Sequence, residues 1–147
     1  MKQLVYLLLF TVFAHANTPY TLTEIKQLYV VVENGTTLIN KESEVKMKQM
    51  MLETLQRVGV KTEGYSEEAF ALLIGLHRLE FEDINLIKMK LLIGSEVLRK
   101  GAKDETFGIT YMKEALFDTT DANADTLDAL SSMLMEFEHQ YKEENEE

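Results

Sequence analysis

Two histidines, His77 and His139, are the side chains after residue 16 best suited to hold a metal ion or haem, or to act as a base. The chain has no cysteine, so thiolate chemistry is excluded. His77 lies in the most apolar stretch, between Ile74 and Phe81, at the spacing of one helical face. Burying an imidazole without a partner costs roughly 1–3 kcal/mol. His77 is therefore the candidate cofactor-binding residue, and a core histidine bonded to a carboxylate or a carbonyl is the alternative.

His139 follows Glu136 at the Glu-x-x-His spacing found in di-iron helical bundles. On a helix with about 100° per residue, His139 lies opposite the face formed by Leu134 and Phe137. We therefore expect it to face solvent and to bind no metal. The sequence contains no G-x-S-x-G nucleophile motif and no glycine-rich phosphate loop. No catalytic residue and no enzymatic activity is predicted.

Methionine is abundant, with 8 residues in a chain of 147. Met47 and Met50 project away from the predicted inner stripe of a helix, which contains Val45, Leu52 and Leu55. Exposed methionines are typical of adaptable partner-binding surfaces, so both are candidate partner-binding residues. Core filling and Cu(I) binding are the alternatives, and no cofactor is predicted.

Residues 1–16 have the form of a signal peptide. Lys2 precedes an apolar run over 4–14, and Ala14-His15-Ala16 places small residues where a signal peptidase reads. The run is too short for a transmembrane helix, which needs about 20 apolar residues. We expect an exported protein, periplasmic or secreted, with no transmembrane segment in the mature chain.

The net charge of −10 argues against nucleic acid and anionic membranes as partners, because both attract lysine and arginine. Another protein is the expected partner. The charge does not indicate an oligomeric state.

The spacing of apolar residues predicts an all-α fold, an irregular bundle of five or six helices in a single domain over 17–141. The candidate helices cover 21–34, 38–58, 66–81, 83–100, 104–117 and 125–141. The remaining segment, 142–147, is predicted to be an acidic, frayed tail. Two alternatives stay open: a β-hairpin over 29–39 on an Asn34-Gly35 turn, and one continuous helix over 66–100.

These features favour a non-enzymatic interaction or structural protein of the cell envelope. The alternative is a periplasmic helical bundle that binds a small ligand, haem or a metal ion through His77. A partner-binding protein should expose a sizeable apolar patch. A cofactor-binding protein should have a cavity beside His77, and an enzyme should have a cleft with convergent carboxylates of shifted pKa.

Overall fold

The computed structural model describes residues 21–79, 84–98 and 100–145. In chain order, these residues form β1 (Tyr29–Asn34), α1 (Lys41–Arg57), β2 (Ala69–Leu79), β3 (Ile84–Leu98), β4 (Glu105–Asp118) and α2 (Ala122–Asn145). The strands form one sheet in the order β1-β2-β3-β4. Strand β1 runs parallel to β2, whereas β2, β3 and β4 are antiparallel neighbours. The fold is α/β.

The predicted all-α bundle of five or six helices is therefore wrong. Helices were predicted correctly where α1 and α2 lie, but the segments 66–81, 83–100 and 104–117 contribute β2, β3 and β4. A continuous apolar run fits a buried strand as well as a buried helix, so helical spacing alone does not separate the two. Pairing with neighbouring strands then overrides the helical propensity of leucine, alanine and methionine.

The chain around Asn34 and Gly35 forms neither the predicted helix end nor the alternative hairpin, since β1 pairs with β2 in parallel. The Asn34 Nδ2 group donates to the Ile39 carbonyl at 3.1 Å and to the Glu44 carboxylate at 2.8 Å. Its Oδ1 atom accepts a hydrogen bond from the Thr36 N–H at 3.0 Å. Asn34 thus ties the end of β1 to the first turn of α1.

Each helix is preceded by a residue whose side chain accepts a hydrogen bond from a backbone N–H in the first turn. The Asn40 Oδ1 atom accepts from Ser43 N–H at 2.8 Å before α1, and the Asp121 Oδ1 atom accepts from Ala124 N–H at 3.2 Å before α2. Such caps satisfy donors that the first helical turn leaves free. Helix α2 consequently begins at Ala122, earlier than the sequence predicted.

Both helices pack on the same face of the sheet. The Phe137 ring of α2 lies 4.8 Å from the Phe70 ring of β2 and 5.4 Å from the Tyr111 ring of β4, between centroids. Helix α1 adds Met47 and Met51 to the same core. Around them lie the other buried apolar residues of the core in the sheet and helices: Val30, Leu55, Leu72, Ile74, Ile87, Met89, Leu91, Ile93, Ala122, Leu130, Met133 and Leu134.

The last turn of α2 holds the segment that precedes β1. The Glu144 carboxylate accepts from the Leu22 N–H at 2.6 Å, and Asn145 Nδ2 donates to the Leu22 carbonyl at 3.0 Å. One turn earlier, the Tyr141 hydroxyl donates to the Ile25 carbonyl at 2.9 Å. The segment predicted to fray, 142–147, is therefore helical as far as residue 145, and its side chains hold a fully buried Leu22 in place.

The predicted signal peptide, residues 1–16, lies outside the described residues, and export remains a prediction. Neither of the helices described here is long and apolar enough to cross a membrane.

We expect Glu144→Gln to lower the free energy of unfolding by about 1 kcal/mol, because a neutral amide oxygen accepts the Leu22 N–H more weakly than a carboxylate does. Urea denaturation at pH 7 measures the change. Glu143→Gln is the matched control, since the exposed Glu143 lies 3.3 Å from the exposed His139. Such surface pairs contribute little. Equal losses in both variants would contradict the role assigned to Glu144.

The Tyr111 hydroxyl is buried and has no hydrogen-bond partner among the described residues. Burial, followed by the charges of Glu136 and Glu144, raises the pKa of this phenol. Because an unpaired buried hydroxyl costs roughly 1–3 kcal/mol, Tyr111→Phe should raise the free energy of unfolding by about 1 kcal/mol. Tyr141→Phe, which removes a hydroxyl that donates to Ile25, should lower it. Urea denaturation of both variants tests the contrast, and a loss of stability in Tyr111→Phe would contradict it.

Candidate interaction surface

The candidate functional site is the sheet face turned away from α1 and α2. Side chains alternate between the two faces of a strand. The ion pair between Lys113 of β4 and Glu136 of α2, at 2.9 Å, therefore marks the helix-covered face. Glu114, the next residue, pairs with Lys90 of β3 at 2.9 Å on the opposite face. We call this second face the open face, because neither described helix packs on it.

Alternate positions of the described strands make up the open face. By strand, they include Tyr29, Val31 and Glu33 of β1; Ala69, Ala71, Leu73 and Gly75 of β2; Leu86, Lys88, Lys90, Leu92, Gly94, Glu96 and Leu98 of β3; Glu105, Phe107, Ile109, Met112, Glu114, Leu116 and Asp118 of β4. The strand register aligns them in rows that cross the sheet. Row 1 is Tyr29, Ala69, Gly94 and Ile109, and row 2 is Val31, Ala71, Leu92 and Met112. Both rows are apolar across all four strands.

The strip is exposed at the two edges of row 1, where Tyr29 is 53% exposed, whereas Ala71 is buried and Val31, Leu92 and Met112 are half-buried. Phe107 is 65% exposed and Ile109 is 49% exposed, and Leu116 is 62% exposed farther along β4. Single exposed apolar residues are normal on a protein surface, but a contiguous strip is a mark of an interaction site.

A β-bulge directs part of the strip toward the open face. Tyr111 pairs with Ile93 and Ile109 pairs with Gly94, so Thr110 is the extra residue in β4. An insertion of one residue reverses which face the following side chains occupy. Ile109 and Phe107 therefore lie on the open face, although Tyr111 lies in the core.

Gly94 makes room for the Phe107 ring. A Cβ atom at position 94 would overlap Cζ of Phe107 and lie 2.8 Å from Cε1, inside van der Waals contact. The Phe107 ring consequently lies over the backbone of Gly94 and fills the space that a side chain at position 94 would occupy in row 1. A glycine in the middle of a strand is typical of such a close approach.

Beyond row 2 the open face carries paired charges. Glu114 pairs with Lys90 at 2.9 Å and with Lys88 at 3.7 Å, so two lysines share one carboxylate. The hydrogen bond from Lys90, followed by smaller effects of Lys88, keeps the pKa of Glu114 below its ordinary value. Glu33 of β1 lies in the same row as Lys90, and Asp118 follows at the end of β4, so this end of the open face carries charges of both signs.

Beyond row 1 the open face becomes acidic. A hydrogen bond to Glu105, followed by the charges of Glu67 and Glu105, raises the pKa of Glu96 above its ordinary value. All three side chains are exposed. The open face thus runs from an acidic end, through an apolar middle, to an end with charges of both signs.

The acidic end meets one of the criteria for an enzyme in part, because carboxylates converge there and the pKa of one of them, Glu96, is raised. Burial is the smallest cause of the shift at Glu96, and both Glu96 and Glu105 face water. Paired catalytic carboxylates gain their difference in pKa from an apolar, water-poor environment. We interpret the acidic end as a charged part of the surface rather than a site of acid–base chemistry.

The residues that the sequence analysis singled out lie in different parts of the fold. The backbone of His77 lies in β2 opposite Leu86, not in a helix, and its predicted role in cofactor binding remains a prediction. Met47 is fully buried in the core, so its predicted exposure is wrong, and Met50 is half-buried against the same core. Val45, which was predicted to face inward, is exposed.

His139 is exposed on α2 and lies near Glu143, as predicted for a solvent-facing histidine. No group of three or more potential metal-binding side chains occurs among the described residues. The sequence analysis missed Lys88, Lys90 and Glu114. The alternation of Ile87, Lys88, Met89, Lys90 and Leu91 is the signal that could have placed them on a strand.

No protein-family model matches the chain, and no curated protein matches it. One solved structure that resembles it is a minor lipoprotein from Acinetobacter baumannii. The two are 13% identical, the match covers 79% of this chain and 91% of that chain, and the TM-score is 0.29. A TM-score of this size does not define a shared fold.

We expect Glu105→Gln to lower the pKa of Glu96 toward its ordinary value of 4.5, because the variant removes a neighbouring negative charge. A raised pKa in the folded state means that folding stability falls as pH rises from 4.5 through that pKa. In Glu105→Gln, folding stability should fall less as the pH rises through this range. NMR titration of the carboxyl carbons measures the pKa, with Glu53→Gln as the control. A pKa of 4.5 or lower for Glu96 in the wild type would contradict the proposed effect of the neighbouring carboxylates.

Proposed function

We propose that this protein is a non-enzymatic interaction or structural component of the cell envelope, and that it binds another protein through its open face. The observation that carries the proposal is the apolar strip of rows 1 and 2, which spans all four strands on the side away from both helices. Burying such a strip against a partner is favourable by about 25 cal/mol for each Å² removed from water.

The shape of the face favours a macromolecular partner over a small ligand. Small-molecule sites are concave and enclose most of the ligand. The strip is instead a broad sheet surface in which Ala69 and Ala71 lie between larger neighbours. Protein interfaces commonly combine an apolar centre with a polar rim, and the charged ends of the open face supply such a rim.

The envelope location rests on the N-terminal sequence. Residues 1–16 have the charge, apolar run and small residues of a signal peptide. An exported chain without cysteine cannot form disulfide bonds, so its stability must come from packing and from partners. The acidic net charge fits a protein partner better than nucleic acid.

Site-specific photo-cross-linking in the native envelope tests this proposal. A photoreactive phenylalanine derivative at Ile109 should yield a cross-linked protein product, because Ile109 lies in row 1. The same group at Met135, which is 69% exposed on α2, is the control and should yield much less. Equal yields at the two positions, or no product at Ile109, would refute the open face as the binding surface.

A further inference from the structure

We propose that the outer edge of β1, together with the neighbouring face of α1, is a second docking site, which adds an extended segment of another protein to the sheet as a further strand. The added segment is apolar and carries a carboxylate on the side turned to α1. This edge site lies beside the open face and not on it, so it goes beyond the proposed function.

The hydrogen bonds of β1 leave alternate backbone groups on its outer edge. The N–H groups of Tyr29 and Gly35 both donate to carbonyl oxygens on the β2 side, at 2.9 and 2.8 Å. In a parallel pair such bonds recur at every second residue, so the N–H and C=O groups of Val30 and Val32 point away from β2. Within the described part of the chain, β1 pairs with β2 alone, and these four groups have no hydrogen-bond partner.

The chain itself already pairs with this edge at one point. The Leu28 N–H, which points the same way as that of Val30, donates to the Lys61 carbonyl at 2.9 Å, and the Lys61 N–H donates to the Lys26 carbonyl at 2.9 Å. Gln27 and Lys61 thereby form an isolated parallel bridge. The edge therefore accepts an extended backbone at this point, and from Val30 onward it stays open among the described residues.

The two edge strands of the sheet differ in their protection against pairing. Strand β4 carries charged side chains along its length and a bulge at Thr110, and both features discourage the addition of a strand. Residues 29–32 of β1 are a tyrosine and three valines, without a charge, a proline or a bulge. Strand β1 is therefore the edge suited to recognition of an extended peptide through its backbone.

Helix α1 supplies one wall of a groove along this edge. Lys41, Glu44, Val45 and Lys48 lie on one face of the helix, since their spacings are three, four and seven residues. With Tyr29 and the three valines that follow it, they line a groove of about 360 Å³. Val45 is 62% exposed and Tyr29 is 53% exposed. Apolar side chains of an added segment would remove both from water, which is favourable.

The charges of the groove define the polar group that the segment carries. The Glu44 carboxylate is already engaged within the fold, because it pairs with Lys41 and accepts a hydrogen bond from Asn34. Lys48 is exposed and forms no ion pair with any described residue. A carboxylate on the added segment, on the side turned to α1, would pair with Lys48.

The β1 strand of a second copy does not supply this carboxylate. Its one acidic residue, Glu33, lies on the open face, because side chains alternate along the strand. Antiparallel pairing of two β1 strands about an axis perpendicular to the sheet keeps both open faces on the same side. Glu33 of the partner subunit would then point away from the face on which α1 packs, and away from Lys48. A different protein is therefore the source of the segment.

NMR titration of the full chain with synthetic peptides tests the edge site. The probe is a capped octapeptide that alternates valine and threonine, with one glutamate in place of a central valine. At millimolar peptide, hydrogen exchange of the Val30 and Val32 amides should slow by about tenfold or more, because each gains an acceptor. Exchange of the Val31 amide, which already points to β2, should change little.

Two modified peptides separate strand addition from non-specific adhesion. In a strand, the valines donate toward one edge and the threonines toward the other. N-methylation removes the donor, so of one peptide methylated at its valines and one methylated at its threonines, only one should still bind. Equal binding, or equal loss, with the two peptides would overturn strand addition.

A charge exchange tests the role of Lys48. Lys48→Glu should weaken binding of the glutamate peptide by about fivefold, because an attraction between exposed charges becomes a repulsion. A peptide with lysine in place of that glutamate should bind this variant as well as the original pair binds. Lys103→Glu, the same change at an exposed residue between β3 and β4, is the control and should leave binding unchanged. Equal losses in both variants would overturn the contact with Lys48.

Exchange of the Val30 and Val32 amides also identifies any other occupant of the edge. Slow exchange of both in a dilute chain without peptide would show that the chain covers its own edge. Slowing that increases with protein concentration would show that a second copy does so. Either result, or exchange that the peptide leaves unaltered, would overturn the edge site whatever the cross-link at Ile109 shows. Peptide protection without a cross-link at Ile109 would support the edge site and refute only the open face.

Discussion

The packing of Phe137 against Phe70 and Tyr111 determines which face of the sheet is buried. Through it, α2 lies against the same face as α1, and Arg57 of α1 pairs with Glu138 of α2 at 2.9 Å. A sheet of four strands needs cover on one face to be stable, and an antiparallel meander tolerates water on the other. Placing both helices on one side therefore provides the core and leaves the opposite face available.

The surface properties of the open face follow from strand alternation and one inserted residue. Alternation places Lys88 and Lys90 on the side opposite Met89 and Leu91, which belong to the core. The bulge at Thr110 then adds Ile109 and Phe107 to the open face. A sheet without the bulge would direct these two side chains toward α2, and row 1 would lose Ile109, although Met112 would still continue row 2 onto β4.

The sequence predicted the elements whose signals are local. Helices α1 and α2 each contain a run of apolar residues with helical spacing, so both were found, although their caps, Asn40 and Asp121, were not. Strand β2, rich in alanine and leucine, carries no local signal that separates it from a helix. The inner face of α1 was misassigned to Val45 although Met47, Met51 and Leu55 form a stripe at a spacing of four residues. The open face could not be predicted, because it depends on register across four strands that are distant in sequence.

The hydrogen bonds of Asn34 also bear on covalent modification. Asn34-Gly35-Thr36 matches the acceptor sequence for N-linked glycans, which attach to the side-chain nitrogen of asparagine. Both hydrogens of that nitrogen are engaged in the fold, by Ile39 and by Glu44. A sugar would replace one of them at a half-buried position, so glycosylation would remove one of the two hydrogen bonds that this nitrogen donates. In a eukaryotic secretory host, modification of Asn34 would therefore weaken the β1–α1 connection.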